Sequence, residues 1–175
     1  MFTPPKTSHT ISWFSAIVLF AISASSMNAQ AAESVSPQFI ADQGQVGLLR
    51  VGMSLASLER ALRKKVQLHP AGTNQSGAML EKNDLVRLGI STLYGAPVEG
   101  ADISFVENQQ KQLHVEFFAL VVPCSARSQL LEQIEPQTAA NLKTPAGLPY
   151  RVSKNGKYAF SFQEKPVCAL WVRHV

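Results

Sequence analysis

The stretch Leu49-Arg50-Val51-Gly52-Met53-Ser54-Leu55-Ala56-Ser57-Leu58-Glu59-Arg60-Ala61-Leu62 decides how the chain is read. Its first residues form an extended lead-in. Gly52 has no β-carbon and suits a corner that other residues avoid. Ser54 can offer its hydroxyl to an orphan N–H of a first helical turn. Leu55, Leu58 and Leu62 then recur at i, i+3 and i+7. That spacing predicts an amphipathic helix with Glu59, Arg60 and Arg63 turned away. A helix of about 12 residues is marginal alone in water. Burying three leucines contributes about 5–9 kcal/mol before chain entropy is set against it. The helix therefore needs a surface, and the sequence that follows supplies a β-sheet.

Ile103 and Phe105 alternate, Glu107 to Lys111 is polar, and Leu113, Val115, Phe117, Ala119 and Val121 resume the alternation. This predicts a β-hairpin with one face on a core. Its second arm is apolar on both sides from Phe117 to Val122, as a central strand is. Ser125 is placed to cap a helix running from Ala126 to about Ile134. A second hairpin is expected from Tyr150 to Phe162, turning at Asn155-Gly156, two residues that tolerate positive φ. Val167 to Val175 reads as a last strand, with Cys168, Leu170 and Val172 on one face and Trp171 and Arg173 on the other. Trp171 is read as filling the core under the helices or as anchoring a partner. Ala32 to Gln45 reads as a loosely held arm pinned by Phe39 and Ile40. His69 to Gly77 and Tyr94 to Gly100 read as loops, and Leu85 to Leu93 as extended. Pro136 to Pro149 is expected to connect, with helix conceivable over Thr138 to Leu142. The fold class is α+β: an antiparallel sheet with helices on one face, built from two fused helix-hairpin halves at about 47–122 and 123–175.

The start of the chain reads as an address. Ile11 to Ile22 is almost continuously apolar, and Ala29-Gln30-Ala31 fits a signal-peptidase site. Residues 1–31 are expected to be a cleaved signal peptide and 32–175 a single mature domain. The apolar run is shorter than the roughly 20 residues that span a bilayer, and no later run is longer. No stable membrane insertion of the mature chain is expected, and its compartment is periplasmic or secreted. Cys124 and Cys168, in an oxidising compartment, predict one disulfide. Closing a loop of that length stabilises by about 4 kcal/mol. The net charge of +4 is too small to argue for nucleic acid.

Arg50-Val51-Gly52-Met53-Ser54, followed by the leucine-patterned helix, resembles the BamE/SmpA family of small outer-membrane assembly proteins. The resemblance implies a helix packed on a short antiparallel sheet, with Ile103 to Phe117 matching that family's later strands. It also implies an accessory role in envelope assembly. The chain departs from the family in lacking a lipid-attachment cysteine and a glycine closing the helix, and in adding a second helix-hairpin half. That doubled layout is similar to the β-lactamase inhibitor protein, in which two such units clasp an enzyme.

Catalytic patterns are weak. Gly89-Ile90-Ser91-Thr92-Leu93 lacks the second glycine of a nucleophile elbow. His69, His114 and His174 stand apart, without ligand spacing, so no metal is expected. Asp102 and Glu116 could approach one another, but nothing local tunes them for acid–base work. No catalytic residue and no cofactor is assigned, and the chain is read as non-enzymatic. Binding features remain. Tyr150, Arg151, Lys154, Asn155, Lys157 and Tyr158 surround the second hairpin, and Trp171 and Arg173 share one side of the last strand. Cations interleaved with aromatics suit another protein with an acidic surface. The expected function is an inhibitor or immunity protein acting on an exported enzyme. The alternatives are an accessory of envelope assembly and a periplasmic hydrolase with an unrecognised site.

Overall fold

The computed structural model describes residues 39–143, 149–165 and 167–175. The expected signal peptide, residues 1–31, and residues 32–38 of the arm lie outside the described residues. Three short strands come first: β1 (Phe39–Ile40), β2 (Gln45–Val46) and β3 (Leu49–Arg50) form a small antiparallel sheet. Helix α1 (Leu55–Leu62) follows, then strands β4 (His69–Gly72) and β5 (Gln75–Glu81) and helix α2 (Lys82–Arg87). A two-residue ribbon, β6 (Thr92–Leu93) with β7 (Ala96–Pro97), leads to β8 (Gly100–Glu107) and β9 (Leu113–Val121). Helix α3 (Arg127–Ile134) precedes β10 (Thr138–Lys143), β11 (Pro149–Ser153), β12 (Tyr158–Gln163) and β13 (Ala169–His174). The large sheet has eight strands, all antiparallel, in the order β10-β11-β12-β13-β9-β8-β5-β4. A helix followed by four strands of that sheet occurs twice, and the last strands of the two runs, β9 and β13, are neighbours at its centre.

The opening stretch folds for the reasons its residues give. Gly52 takes φ +81° and donates its N–H to the Val115 carbonyl at 2.7 Å, while Val115 donates back to Met53 at 2.8 Å. The lead-in is thereby fixed to β9 before the helix starts. The Ser54 hydroxyl accepts from the Ser57 N–H at 3.2 Å. Leu58 and Leu62 are fully buried, and Leu55 packs at the margin. The helix is shorter than expected because Arg63 turns left-handed at φ 55° and ends it, in the place where a glycine is usual.

Leu58 and Leu62 of α1, Leu85 of α2, and Leu130 and Ile134 of α3 belong to one core with Ile103, Phe105, Phe118, Leu120, Phe160, Leu170 and Val172 of the sheet. Several expectations are corrected here. Residues 69–77 are not a loop but the β4–β5 hairpin, turning at Asn74 with φ 59°. Leu85 to Arg87, expected as extended chain, instead end helix α2, because Glu81 and Asp84 form a reciprocal capping box and Lys64 neutralises the buried Asp84 at 2.7 Å. Thr138 to Lys143 is an edge strand rather than loop or helix. Ser125 does not cap α3; it lies within a 3-10 turn, Cys124–Ala126. Phe39 does pin the arm, with its ring edge-on to Phe160 at 4.7 Å, but Ile40 is 40 % exposed and does not.

The first hairpin forms as expected, but its register shifts. Ser104 pairs with Phe117 and Phe105 with Val115, so Glu116 is an extra residue, a β-bulge. From there Phe118 and Leu120 enter the core, and Phe117, Ala119 and Val121 take the opposite face. Cys124 and Cys168 form the expected disulfide, with Cα atoms 5.2 Å apart. It ties the chain just after β9 to the chain just before β13.

Candidate functional site

The face of the sheet opposite Phe160 and Phe118 is read directly from the register. Met79, Asp102, Ala119, Trp171 and Ser161 form one cross-strand row, and Gly77, Ser104, Phe117, Arg173 and Ala159 form the next. Trp171 is therefore not a core residue beneath the helices. The strand alternation expected for Val167 to Val175 holds, and it carries Trp171 away from Leu170 and Val172. Its ring stacks on Phe117 with centroids 5.1 Å apart and planes tilted by 31°. Phe117 reaches this position only because of the bulge at Glu116. The Glu116 carboxylate accepts from Gln75 Nε2 at 3.1 Å and from the Ser104 hydroxyl at 3.4 Å. Buried Ser104 is thus satisfied on a surface where an unpaired hydroxyl would be costly.

Trp171 and Phe117 help to line a cavity of about 600 Å³ with Tyr150, Ser161, Arg173 and Lys165. Arg127 reaches its rim, with its guanidinium 6.0 Å from the Phe162 ring centroid and paired with Glu164. Tyr150, Trp171 and Arg173, three of the residues singled out from sequence, are brought together here. The other five are not. Lys154 and Lys157 are exposed at the turn of the β11–β12 hairpin. Arg151 pairs in register with Phe160, so it lies on the core side, and it bonds Glu135 at 3.1 Å with its side chain 19 % exposed. Asn155, exposed at the same turn, clasps Asp42. Its backbone N–H donates to Asp42 Oδ1 at 3.0 Å, and its Nδ2 donates to the Asp42 carbonyl at 2.7 Å. Its turn is also not the expected one, because only Gly156, at φ 74°, has positive φ. Tyr158 lies edge-on to His174, their ring centroids 5.6 Å apart, and packs against the core.

The residues that sequence reasoning missed here are Phe117, Ser161, Lys165 and Arg127. Phe117 was visible as an apolar strand residue, but its face depends on the bulge. Among the described residues, no group of three or more His, Cys, Asp or Glu side chains could hold a metal ion. No described helix is long and apolar enough to cross a membrane. Comparisons with protein families, curated proteins and solved structures return no match to this chain.

Proposed function

We propose that this chain is an exported, non-enzymatic protein-binding module that uses the Trp171 face of its sheet and the adjoining basic hairpin to hold an acidic partner. In this reading the helices all cover the other face, and residues 1–31 are removed on export. The observation that carries it is the Phe117–Trp171 ring pair flanked by Tyr150 and Arg173, on the side of the sheet away from the core. Trp, Tyr and Arg are the side chains from which binding hot spots are most often built. Size supports it too. Seven steps between eight strands, at about 4.8 Å each, make a face about 34 Å wide. A strand of six residues is about 20 Å long, so the face approaches the roughly 800 Å² per partner of a standard interface.

The disulfide and the absence of a long apolar helix among the described residues are compatible with a secreted or periplasmic site of action. Within that compartment, the reading favoured is an inhibitor or immunity protein that blocks an exported enzyme. The test is capture from envelope extract on the immobilised protein, compared with Trp171→Ala and with Lys154→Glu/Lys157→Glu. One specific acidic protein should be retained by the wild type and lost by Trp171→Ala. The double charge reversal should slow its association about tenfold with no change in melting temperature. Equal capture by all three proteins would remove both the sheet face and the hairpin from the account.

A further inference from the structure

The helix side of the large sheet changes character along one cross-strand row. Phe118, Val172, Phe160, Arg151 and Asn141 are in register across β9, β13, β12, β11 and β10. The first three are buried, Arg151 is half-buried and Asn141 is exposed. Lys143, two residues beyond Asn141, falls on the same side of β10. The apolar core therefore stops at Phe160, and cations follow it on the same face.

A cavity of about 330 Å³ opens at that border. Leu131 and Ile134 of α3 face Phe160 and Leu170 of the sheet across it. Ile134, Phe160 and Leu170 are buried and form its closed end. Arg127, Lys143 and Arg151 also line it, and Arg127 and Lys143 are exposed, which puts cations at its mouth. Among the described residues, no acid lines it. Arg127 pairs with Glu164, and Arg151 with Glu135 at 3.1 Å, but both acids are more than half exposed. Such exposed pairs are weak, and a guanidinium has five N–H donors, so donors remain for another anion. Lys143 has no acid partner among the described residues. An apolar pocket of this size with a few polar groups at one end is the usual form of a small-molecule site.

We infer that the cavity between α3 and strands β10–β13 binds a small amphiphilic carboxylate. Its alkyl chain would lie on Leu131, Ile134, Phe160 and Leu170, and its head would meet Lys143 and Arg151. A carboxylate is costly to bury unpaired, so the head stays at the cationic mouth while the chain fills the closed end. The site lies on the opposite side of the sheet from the Trp171 ring and does not rest on the protein-binding reading.

The test titrates the isotope-labelled protein with octanoate, hexanoate and octanol. Octanoate should bind saturably and shift the methyl resonances of Leu131, Ile134 and Leu170. Affinity should rise about fourfold for each methylene from hexanoate to octanoate. Octanol, which has the chain without the charge, should bind at least tenfold more weakly. Lys143→Met should weaken octanoate about fivefold and leave octanol unchanged. Leu131→Trp, which fills the cavity, should abolish binding of both. No saturable binding of octanoate overturns the proposal, as does octanol binding as tightly as octanoate. Shifts confined to Phe117 and Trp171, or Lys143→Met without effect, overturn it too. If Leu131→Trp does not fold, the acid–alcohol comparison on the wild type decides.

Discussion

Replacing Trp171 with alanine separates a binding surface from a core. Trp171 is half-buried, and its main packing partner on the described surface is the Phe117 ring at 5.1 Å. An aromatic pair contributes about 0.5–1.5 kcal/mol beyond area burial. With partial loss of burial added, Trp171→Ala should destabilise by about 1–2 kcal/mol. Phe118, which pairs with Val172 across β9 and β13, is fully buried on the opposite face. Phe118→Ala should cost about 3–5 kcal/mol, the usual penalty for a large buried ring. With a urea slope near 2 kcal/mol/M, the unfolding midpoints should fall by about 0.5–1 M for Trp171→Ala and about 1.5–2.5 M for Phe118→Ala. Binding should be ordered the other way. Loss of a hot-spot tryptophan costs at least about 2 kcal/mol, or roughly thirtyfold in Kd. Urea titration followed by circular dichroism gives the first comparison, and partner titration the second. Equal midpoint shifts, or unchanged affinity for Trp171→Ala, would refute the assignment of Trp171 to a docking face.

Other outcomes follow from named groups. Cys168→Ser should lower stability by up to about 4 kcal/mol, since the bridge closes a separation of 44 residues; thiol labelling of the denatured wild type should find none before reduction and two after. Arg63→Gly should stabilise by about 0.5–1 kcal/mol, because glycine takes the left-handed turn at the end of α1 without a β-carbon; a lower urea midpoint would contradict this. The Glu59 carboxyl is held below its ordinary range by a hydrogen bond from Lys65 and one from the Val66 N–H. Its contribution is present above pH 4.5 and is lost as pH falls through the lowered folded value, so Glu59→Gln should flatten the acid limb of melting temperature against pH. The Tyr94 phenol is raised by burial, although Gln137 donates to its oxygen at 2.7 Å. That contribution is full below pH 10 and is lost as pH rises through the folded value, so Tyr94→Phe should flatten the alkaline limb.

Much of the fold was legible where residues carry their own instructions. The Gly52–Ser54 corner, the Leu58 and Leu62 stripe, the cysteine pair and the alternation of Leu170, Trp171 and Val172 are local signals. Strand β5 was not legible, because Gln75-Ser76-Gly77-Ala78 looks like turn chemistry; its seven pairs with β8 make it a strand. Helix α2 is six residues long, and its cap is a Glu–Asp box rather than a serine or threonine. Strand β10, with its adjacent alanines, has helical propensity overridden by pairing at the sheet edge. At the site, alternation correctly set Trp171 and Arg173 on one face. It could not reveal the bulge at Glu116 that brings Phe117 beside them. Nor could it show that Arg151 crosses to Glu135 or that Asn155 is taken up by Asp42. Those are long-range contacts, and a sequence pattern does not record them.

The most direct test of the account is a hydrogen-exchange footprint of the captured partner on this protein. Protection concentrated in residues 117–121, 159–163 and 169–173, with α1, α2 and α3 unchanged, is the predicted result. Protection centred on the helices with the Trp171 face left exchanging would contradict it.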